Sequence, residues 1–326
     1  MVILINSLSR SGALAATLAL ICLSFAGNAT AAASPVVSPG ADRTVSAPID
    51  PGLRLETIGY RLSQANARLC AVPEVLTGLM LHNLGGYNRT DRADVAASYN
   101  LTYGFGVLQV VPDSVGAQAG LIAGDEIVAL NGVDLAGYAQ ELIGKRGSYA
   151  RTERFVGLLG SALSQGPAVL RIRRDGAELN LELHAEKGCG GYFALLHDRS
   201  LNAWSDGRYV AVTDRMMGFA SDDAELAFVV AHEMAHNILH HADQTKGISR
   251  LFAQFGFGAG KLKATEIEAD SLAIELMARA GYNLAAPVQL LERLAKGRWF
   301  DLPITHPGIS SRIQTIKAAS ARQPQL

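Results

Sequence analysis

The sequence predicts an α+β protein in which a small β-rich domain is inserted into a mainly helical domain that also carries a small sheet. Three observations lead to this fold class. Apolar residues recur at helical spacing between residues 51 and 70 and again after residue 222. Short β-branched segments separated by turn dipeptides fill residues 98–187. A length of 326 residues gives each of two domains enough chain to bury its own core.

The first 33 residues have the composition of a secretory signal peptide. Arg10 is their one charged residue, and it precedes the apolar run Ala13–Ala26 and then a group of small residues. This apolar run is shorter than the roughly 20 residues that a membrane-spanning helix needs. We therefore expect export, with cleavage near Ala31 or Ala33.

Residues 34–50 are rich in Ser, Pro and Ala and predict a flexible lead-in to the folded chain. No later segment reaches 18 uninterrupted apolar residues, so we expect no transmembrane segment in the mature chain. The formal net charge of -1 gives no electrostatic reason to expect nucleic acid or an anionic membrane as a partner.

Export changes the expected state of the cysteines. Cys22 would leave with the signal peptide, and Cys70 and Cys189 would remain as a single pair. In an oxidising compartment such a pair forms a disulfide more often than it stays free. Two buried, unpaired thiols are the alternative. The bridge would clamp the two ends of the inserted domain together.

The helical domain begins with residues 51–97. An amphipathic helix is predicted from Pro51 to Cys70, and the polar stretch Arg89–Asn100, which has no clear period, predicts a loop. The apolar positions of the helix are Leu53, Leu55, Ile58, Leu62 and Leu69.

Strands and tight turns alternate in residues 98–187. Strands are predicted at Val107–Val111, Glu126–Leu130, Ala168–Arg173 and Leu179–His184. The dipeptides Asn131-Gly132 and Asp175-Gly176 predict turns, and the spacing of apolar residues predicts a helix around Glu153–Leu163.

An ordered series of motifs in this region resembles a PDZ domain of the bacterial protease type. The series is Tyr103-Gly104-Phe105-Gly106, Val111-Pro112-Asp113-Ser114, Ala119-Gly120-Leu121, Gly124-Asp125 and Asn131-Gly132. The resemblance implies a groove that binds an extended peptide by strand addition. Tyr103, Gly104, Phe105 and Gly106 would form that groove, and their backbone amides would receive a terminal carboxylate. A packing module without a ligand is the alternative.

Residues 188–326 carry the side chains suited to catalysis. A helix predicted to begin at Asp222 contains His232 and His236, which are four residues apart and so share one face. This spacing suits two nitrogen ligands of Zn²⁺. Glu233 between them could take a proton from a water molecule at the metal. Two surface histidines are the alternative, but the preceding Val229–Ala231 makes the helix apolar.

A catalytic zinc site needs a third protein ligand. Glu266 and Asp270 are four residues apart on a helix predicted to end before Gly281. Glu266 could bind the metal while Asp270 accepts a hydrogen bond from a ligand histidine. Ligation by Glu268, or a solvated helix start without ligation, is the alternative.

These segments resemble the zinc peptidase family that includes HtpX, the CAAX prenyl endopeptidases and the periplasmic BepA-like proteases. The shared motifs are Asn202-Ala203, His232-Glu233-Met234-Ala235-His236, Glu266-Ile267-Glu268-Ala269-Asp270 and Thr305-His306-Pro307 followed by Arg312-Ile313. The resemblance implies a gluzincin-type domain with one Zn²⁺ per chain and Glu266 as its third ligand. It places His306 at the active site as a stabilising or gating group, and it implies that Asn202-Ala203 forms an edge strand for substrate.

The resemblance also implies a function. It suggests a zinc endopeptidase of the periplasm or cell envelope that degrades misfolded or unassembled proteins, with the PDZ domain binding or gating peptide. The membrane helices of some relatives are missing, so prenylated substrates are not implied. A PDZ-led binding or chaperone module with a latent zinc site is the alternative. A structural zinc is a third reading, disfavoured by Glu233 because structural sites are closed by four protein ligands.

Two features that follow the His232–His236 motif in sequence are given no catalytic or metal-binding role. His240 and His241 follow the motif and predict a solvated helix end. Residues 242–263, rich in Gly and Phe, are predicted to form a mobile cover near the cleft.

Overall fold

The computed structural model describes residues 50–70, 73–137, 146–189, 191–245, 259–297 and 308–324. The predicted signal peptide, the lead-in up to residue 49, the central part of the predicted cover and His306 lie outside these ranges. Among the helices that are described, none combines the length and apolar character needed to cross a bilayer.

The helices lie within the β-rich insertion and on both sides of it in sequence. They are α1 (Pro51–Ala65), α2 (Arg92–Ser98), α3 (Val115–Gln118), α4 (Ala150–Gln165), α5 (Asp214–Phe219), α6 (Asp223–Ile238), α7 (His241–Gln244), α8 (Ala259–Arg279), α9 (Ala286–Lys296) and α10 (Ile309–Ser320), with a short 3-10 helix at Leu84–Gly86.

The strands form three sheets. They are β1 (Glu74–Leu76), β2 (Leu79–His82), β3 (Phe105–Val110), β4 (Glu126–Leu130), β5 (Val133–Asp134), β6 (Ala168–Arg174), β7 (Ala177–Leu183), β8 (Glu186–Gly188), β9 (Tyr192–Leu196), β10 (Ala203–Ser205) and β11 (Tyr209–Thr213). The six-stranded sheet has the order β2-β3-β4-β6-β7, with β5 paired to β4. A three-stranded sheet has the order β10-β11-β9, and β1 pairs with β8.

The two turn dipeptides form as predicted. Asn131 and Gly132 have φ values of 48° and 80°, and Asp175 and Gly176 have φ values of 48° and 81°. Positive φ at both central residues matches the right-handed twist of the strands on either side. The turns therefore close the β4–β5 and β6–β7 hairpins, whose residues pair antiparallel.

Two hydrophobic clusters correspond to the two domains. In one, helix α4 covers the six-stranded sheet, and the rings of Phe105 and Phe155 stack with centroids 4.1 Å apart. In the other, the largely buried helix α6 packs between α1, α8, α9 and the three-stranded sheet. The mixed α+β fold class is confirmed.

The inserted domain begins earlier than the sequence indicates. Strand β2 pairs antiparallel with β3, and its residues Leu79 and Leu81 belong to the apolar cluster of the six-stranded sheet. A boundary at residue 98 therefore omits an edge strand, which the sequence analysis had placed in the helical domain. The stretch predicted as a loop before residue 100 also contains a helix, α2.

The predicted disulfide is present. Cys70 and Cys189 are bonded, with Cα atoms 5.3 Å apart and a sequence separation of 119 positions. Cys189 lies next to β8, which pairs with β1 just after Cys70, so the bridge and this short ladder together join both ends of the insertion.

Removing this bridge is expected to destabilise the chain. Because the disulfide closes a long loop, replacing Cys70 and Cys189 together by Ala should lower the free energy of unfolding by about 2–4 kcal/mol. Urea denaturation of the parent chain, oxidised and reduced, and of the double variant measures the effect. Equal stabilities of the oxidised and reduced parent would contradict the expectation.

Candidate active site

Helix α6 is fixed at its start by capping and by a buried ion pair. The Asp222 carboxylate accepts a hydrogen bond from the Glu225 amide at 2.9 Å, which caps the helix. Glu225 is itself fully buried and binds Arg293 of α9 through both carboxylate oxygens. Burial favours a raised pKa for Glu225, but the Arg293 and Ser221 hydrogen bonds hold that pKa below its usual value. The helix that carries the histidines therefore has a defined position in the core.

Three candidate ligand atoms converge between helices α6 and α8. The Nε2 atoms of His232 and His236 are 3.2 Å apart. Glu266 Oε2 lies 3.3 Å from His232 Nε2, and Glu266 Oε1 lies 3.5 Å from His236 Nε2. Among the described residues, this is the group of three that could hold a metal ion.

The spacing of these atoms fits zinc. Ligands with Zn–N and Zn–O bonds of about 2.0–2.1 Å lie about 3.3–3.4 Å apart when the geometry is tetrahedral. The distance between the two histidine nitrogens is close to that value, and each of these nitrogens is about as close to one of the two Glu266 oxygens, so the three side chains approximate one triangular face of such a site. The predicted alternative Glu268 does not belong to the face, since its carboxylate lies beside His241.

Asp270 holds His232 from behind. Its Oδ1 is 3.0 Å from His232 Nδ1, which leaves Nε2 free to face the other two ligand atoms. Asp270 also receives two hydrogen bonds from Arg312, at 2.6 and 2.9 Å, and its side chain is fully buried.

The charges of this group shift its pKa values. Burial and the nearby Arg312 favour a lower pKa for His232, but the hydrogen bonds to Asp270 and Glu266 outweigh them and raise it to about 9. Burial favours a raised pKa for Asp270, yet the hydrogen bonds from Arg312 and His232 hold it below its usual value. Asp270 is therefore ionised at neutral pH and accepts the Nδ1 proton of His232.

Glu233 lies beside the triangle and is held by the three-stranded sheet. Ser205, the last residue of β10, donates a hydrogen bond from Oγ to Glu233 Oε2 at 3.0 Å. Asn237, one turn further along α6, donates to the Tyr209 carbonyl and accepts from the Gly207 amide. These contacts attach the helix to the turn between β10 and β11 and fix the carboxylate relative to the strand.

Replacing Ser205 by Ala tests this support of Glu233. One hydrogen bond contributes about 0.5–1.5 kcal/mol, so we expect peptide cleavage to fall about 2–12-fold while zinc binding is unchanged. Ser311→Ala on α10 is the control, because among the described residues no hydrogen bond joins the Ser311 side chain to Glu233 or to the ligands. Cleavage at the parent rate in Ser205→Ala would show that the carboxylate needs no such support.

The β10 edge separates two cavities of similar size. Strand β10 is the end strand of its sheet, and Asn202 and Ala203 line both cavities together with Glu233. The cavity of about 250 Å³ on the His236 side is polar. The cavity of about 260 Å³ on the His232 side is mostly apolar and is lined by residues such as Phe228, Leu290, Leu294 and Ile309.

The predicted carboxylate loop of the PDZ domain does not have the expected geometry. The Gly104 amide donates to Glu126 Oε1 at 2.8 Å. Phe105 and Gly106 lie in β3, which is paired on one side with β2 and on the other with β4. Because the Gly104 amide is bonded, Phe105 is fully buried and Phe105 and Gly106 lie in a strand paired on both sides, these three residues are not open to an added peptide. This part of the sequence-based assignment is corrected.

Three residues that the sequence analysis did not assign to the site contact it directly. Ser205 binds Glu233, Arg312 binds Asp270, and His241 binds His236. Arg312 was quoted only as part of a motif, and His241 was predicted to be solvated. His241 is in fact 2% exposed, which corrects that prediction.

Comparison with known families identifies both parts of the chain. The profile described as Peptidase family M48 matches residues 177–265 and 247–320, and the profile described as PDZ domain matches residues 106–145. The M48 match contains all three candidate ligands, Glu233 and Asp270, while the described part of the PDZ match includes β4, β5 and α3 and most of β3.

Individual relatives agree with these matches. A Vibrio cholerae serotype O1 protein, whose assignment as a beta-barrel assembly-enhancing protease is provisional, is 29% identical over 171 residues. The match covers 41% of this chain, and the chain spans about a third (35%) of that relative's length.

Two solved structures are also similar to part of the chain, and each covers 36% of it. The HtrA3 PDZ domain bound to a phage-derived ligand has 21% identity and a TM-score of 0.26, with 89% of that domain covered. The HtrA-type protease AlgW with a decapeptide has 22% identity and a TM-score of 0.25, with 30% of that chain covered.

Proposed function

We propose, from the match of residues 177–320 to peptidase family M48 and of residues 106–145 to the PDZ domain, that the chain is a zinc-dependent endopeptidase acting on unfolded or unassembled proteins of the cell envelope. The observation that carries the proposal is the triangle of His232, His236 and Glu266 beside Glu233. A site with three protein ligands and a neighbouring base is the arrangement of catalytic zinc.

The side chains that would hold the metal are His232, His236 and Glu266. When bound, zinc would supply Lewis acidity, which polarises a scissile carbonyl and makes a water molecule easier to deprotonate at neutral pH. No acyl-enzyme is expected, since the nucleophile is water.

The chain's own groups would carry the proton and hold the substrate. Glu233 would take a proton from the attacking water on its carboxylate and pass it to the leaving amine nitrogen. Ser205 would keep that carboxylate in place, and the free edge of β10 at Asn202 and Ala203 would pair with the substrate backbone. His306 remains our proposal for a stabilising or gating group at the same cleft.

The buried edge of the PDZ sheet supports a gating role for this domain. Strand β2 is the end strand next to β3, so strand addition in this sheet would have to occur at β2 or at the opposite end, β7. All four residues of β2 are buried, and Met80 packs in the apolar cluster of the catalytic domain. Peptide binding at β2 would therefore disturb the contact between the domains.

The composition of residues 1–33 supports export, and we propose the periplasm as the compartment, with the disulfide formed there. We also propose the division of the chain into a signal peptide (1–33), a lead-in (34–50), a first helical segment (51–97), the PDZ domain (98–187) and the catalytic domain (188–326). The start of the PDZ domain is moved forward in the chain to include β2.

A cleavage assay on a denatured, reduced protein tests the proposal. The purified chain should cut it within the sequence, stop when a chelator removes zinc, and recover when stoichiometric zinc is returned. The same protein in its folded state should be cut far more slowly, because an extended segment is needed along β10. Capture of the denatured protein without cleavage, in the presence of bound zinc, would instead favour a binding or chaperone module.

A further inference from the structure

His241 lies directly behind the candidate ligand His236. Helix α6 ends at Ile238, and His240 adopts a left-handed conformation with φ of 54°. This turn brings His241 back toward α6, so that its Nδ1 is 3.0 Å from His236 Nδ1. The other ring nitrogen of His241, Nε2, lies 3.3 Å from Glu268 Oε2 on helix α8.

The positions of the protons in this chain of groups follow from the ligand role of His236. Its Nε2 faces His232 and Glu266, so it must offer a lone pair there, and its proton must sit on Nδ1. The Nδ1 of His241 then has to accept, because a hydrogen bond needs one donor and one acceptor. The proton of His241 is consequently on Nε2, where it is donated to the carboxylate of Glu268.

Each of the two candidate ligand histidines is thus connected through its Nδ1 to a carboxylate, one directly and the other through a second imidazole. His232 donates from Nδ1 directly to the carboxylate of Asp270, at 3.0 Å. His236 reaches the carboxylate of Glu268 through one additional imidazole. His241 is 2% exposed, whereas the Glu268 side chain is 58% exposed, so this chain runs from the ligand to the protein surface.

We propose that His241 and Glu268 form a positioning relay that fixes the ring orientation and the proton position of His236 and thereby strengthens metal binding. The inference rests on the zinc site proposed above. It concerns how tightly the metal is held and in what geometry, and its readouts do not depend on peptide cleavage. Groups that hold a ligand histidine in this way change metal affinity about 10–100-fold when they are removed.

The test compares zinc affinity by competition with a chromophoric chelator in folded, purified variants. His241→Phe keeps an aromatic ring and removes both nitrogens, so we expect a loss of about 10–100-fold. His241→Asn offers an oxygen near the position of Nδ1 and should recover most of the affinity. Glu268→Gln should lose between about two- and tenfold, since water can only partly replace a partner at an exposed position. Glu275→Gln, the same change further along α8, is the matched control and should bind zinc like the parent.

A spectroscopic measurement separates orientation from general loosening. The visible bands of the cobalt(II)-loaded chain report the ligand geometry, and they should change in His241→Phe but not in His241→Asn or Glu275→Gln. Thermal denaturation without metal checks that His241→Phe remains folded at the assay temperature; should it unfold, the Asn and Gln variants decide.

Each outcome bears on a definite part of the argument. Zinc affinity within about twofold of the parent in folded His241→Phe would overturn the relay, because the relay predicts that this variant loses about 10–100-fold in zinc affinity. If His241→Phe unfolds, parent-like affinity and cobalt bands in Glu268→Gln would overturn it. A parent chain that binds zinc tightly but cleaves no peptide would remove the proposed function and leave the relay standing. A parent chain that binds no zinc would overturn both.

Discussion

Glu233→Gln is expected to lose peptide cleavage by about 10²–10⁴-fold, the usual contribution of a positioned general base, while it binds one zinc ion per chain as the parent does. The physical reason is that the amide of Gln has nearly the shape of the carboxylate but cannot take a proton from water. Its oxygen can still accept the hydrogen bond of Ser205, so the local packing should be retained. Cleavage rates measured beside zinc content by atomic emission separate the loss of the base from the loss of the metal.

The matched control for this prediction is Glu275→Gln. Glu275 is on helix α8 and forms a partly exposed pair with Arg279, one turn along the same helix, so the same change of charge occurs away from the cleft. It should cleave like the parent. Undiminished cleavage in Glu233→Gln would remove Glu233 from the mechanism, and loss of zinc in that variant would mean that the residue serves binding instead.

The metal-ligand motif could be predicted from sequence because its geometry is local. Residues four apart on a helix share one face, so His232 and His236 had to be neighbours, and so did Glu266 and Asp270. The turns at Asn131-Gly132 and Asp175-Gly176 are equally local, since the residue types themselves permit positive φ. In these cases the sequence pattern and the local structure carry the same information.

Contacts between distant segments were harder to predict. Arg312 binds Asp270 across 42 residues of sequence, and only the packing of α10 on α8 brings the two together. The support of His236 by His241 depends on one left-handed residue, His240, which has no glycine or asparagine to signal it. Spacing counted along a continuous helix therefore could not place His241.

In the PDZ region the domain was predicted correctly, but its peptide-binding segment was assigned to the wrong residues. Residues 103–106 carry the glycines and aromatic rings expected of a peptide loop, and the domain itself was predicted correctly. The Glu126 carboxylate, however, occupies the Gly104 amide, and the four-residue strand β2 precedes the motif by more than 20 residues. A segment of four residues is too short for periodicity to reveal an edge strand.

Arg312→Leu is expected to lower the free energy of unfolding of the metal-free chain by about 3–5 kcal/mol, because it removes the guanidinium that donates two hydrogen bonds to the buried carboxylate of Asp270. The side chain of Arg312 is 13% exposed and that of Asp270 is fully buried, so water cannot readily replace the two hydrogen bonds. Urea denaturation measures the loss. Arg279→Leu is the matched control, since Arg279 is 45% exposed and pairs with Glu275, and it should change stability by less than about 1 kcal/mol.

A double-mutant cycle decides whether the effect of Arg312 arises from this pair. Asp270→Asn removes the buried charge but keeps an oxygen that can accept from His232 Nδ1. The double variant Asp270→Asn/Arg312→Leu should therefore lose less free energy of unfolding than the sum of the losses in the two single variants. The expected coupling is about 0.5–3 kcal/mol. Strict additivity would mean that Arg312 stabilises the chain by packing alone. Coupling would instead show that α10, more than 40 residues beyond Glu266 in sequence, stabilises the buried carboxylate that contacts His232.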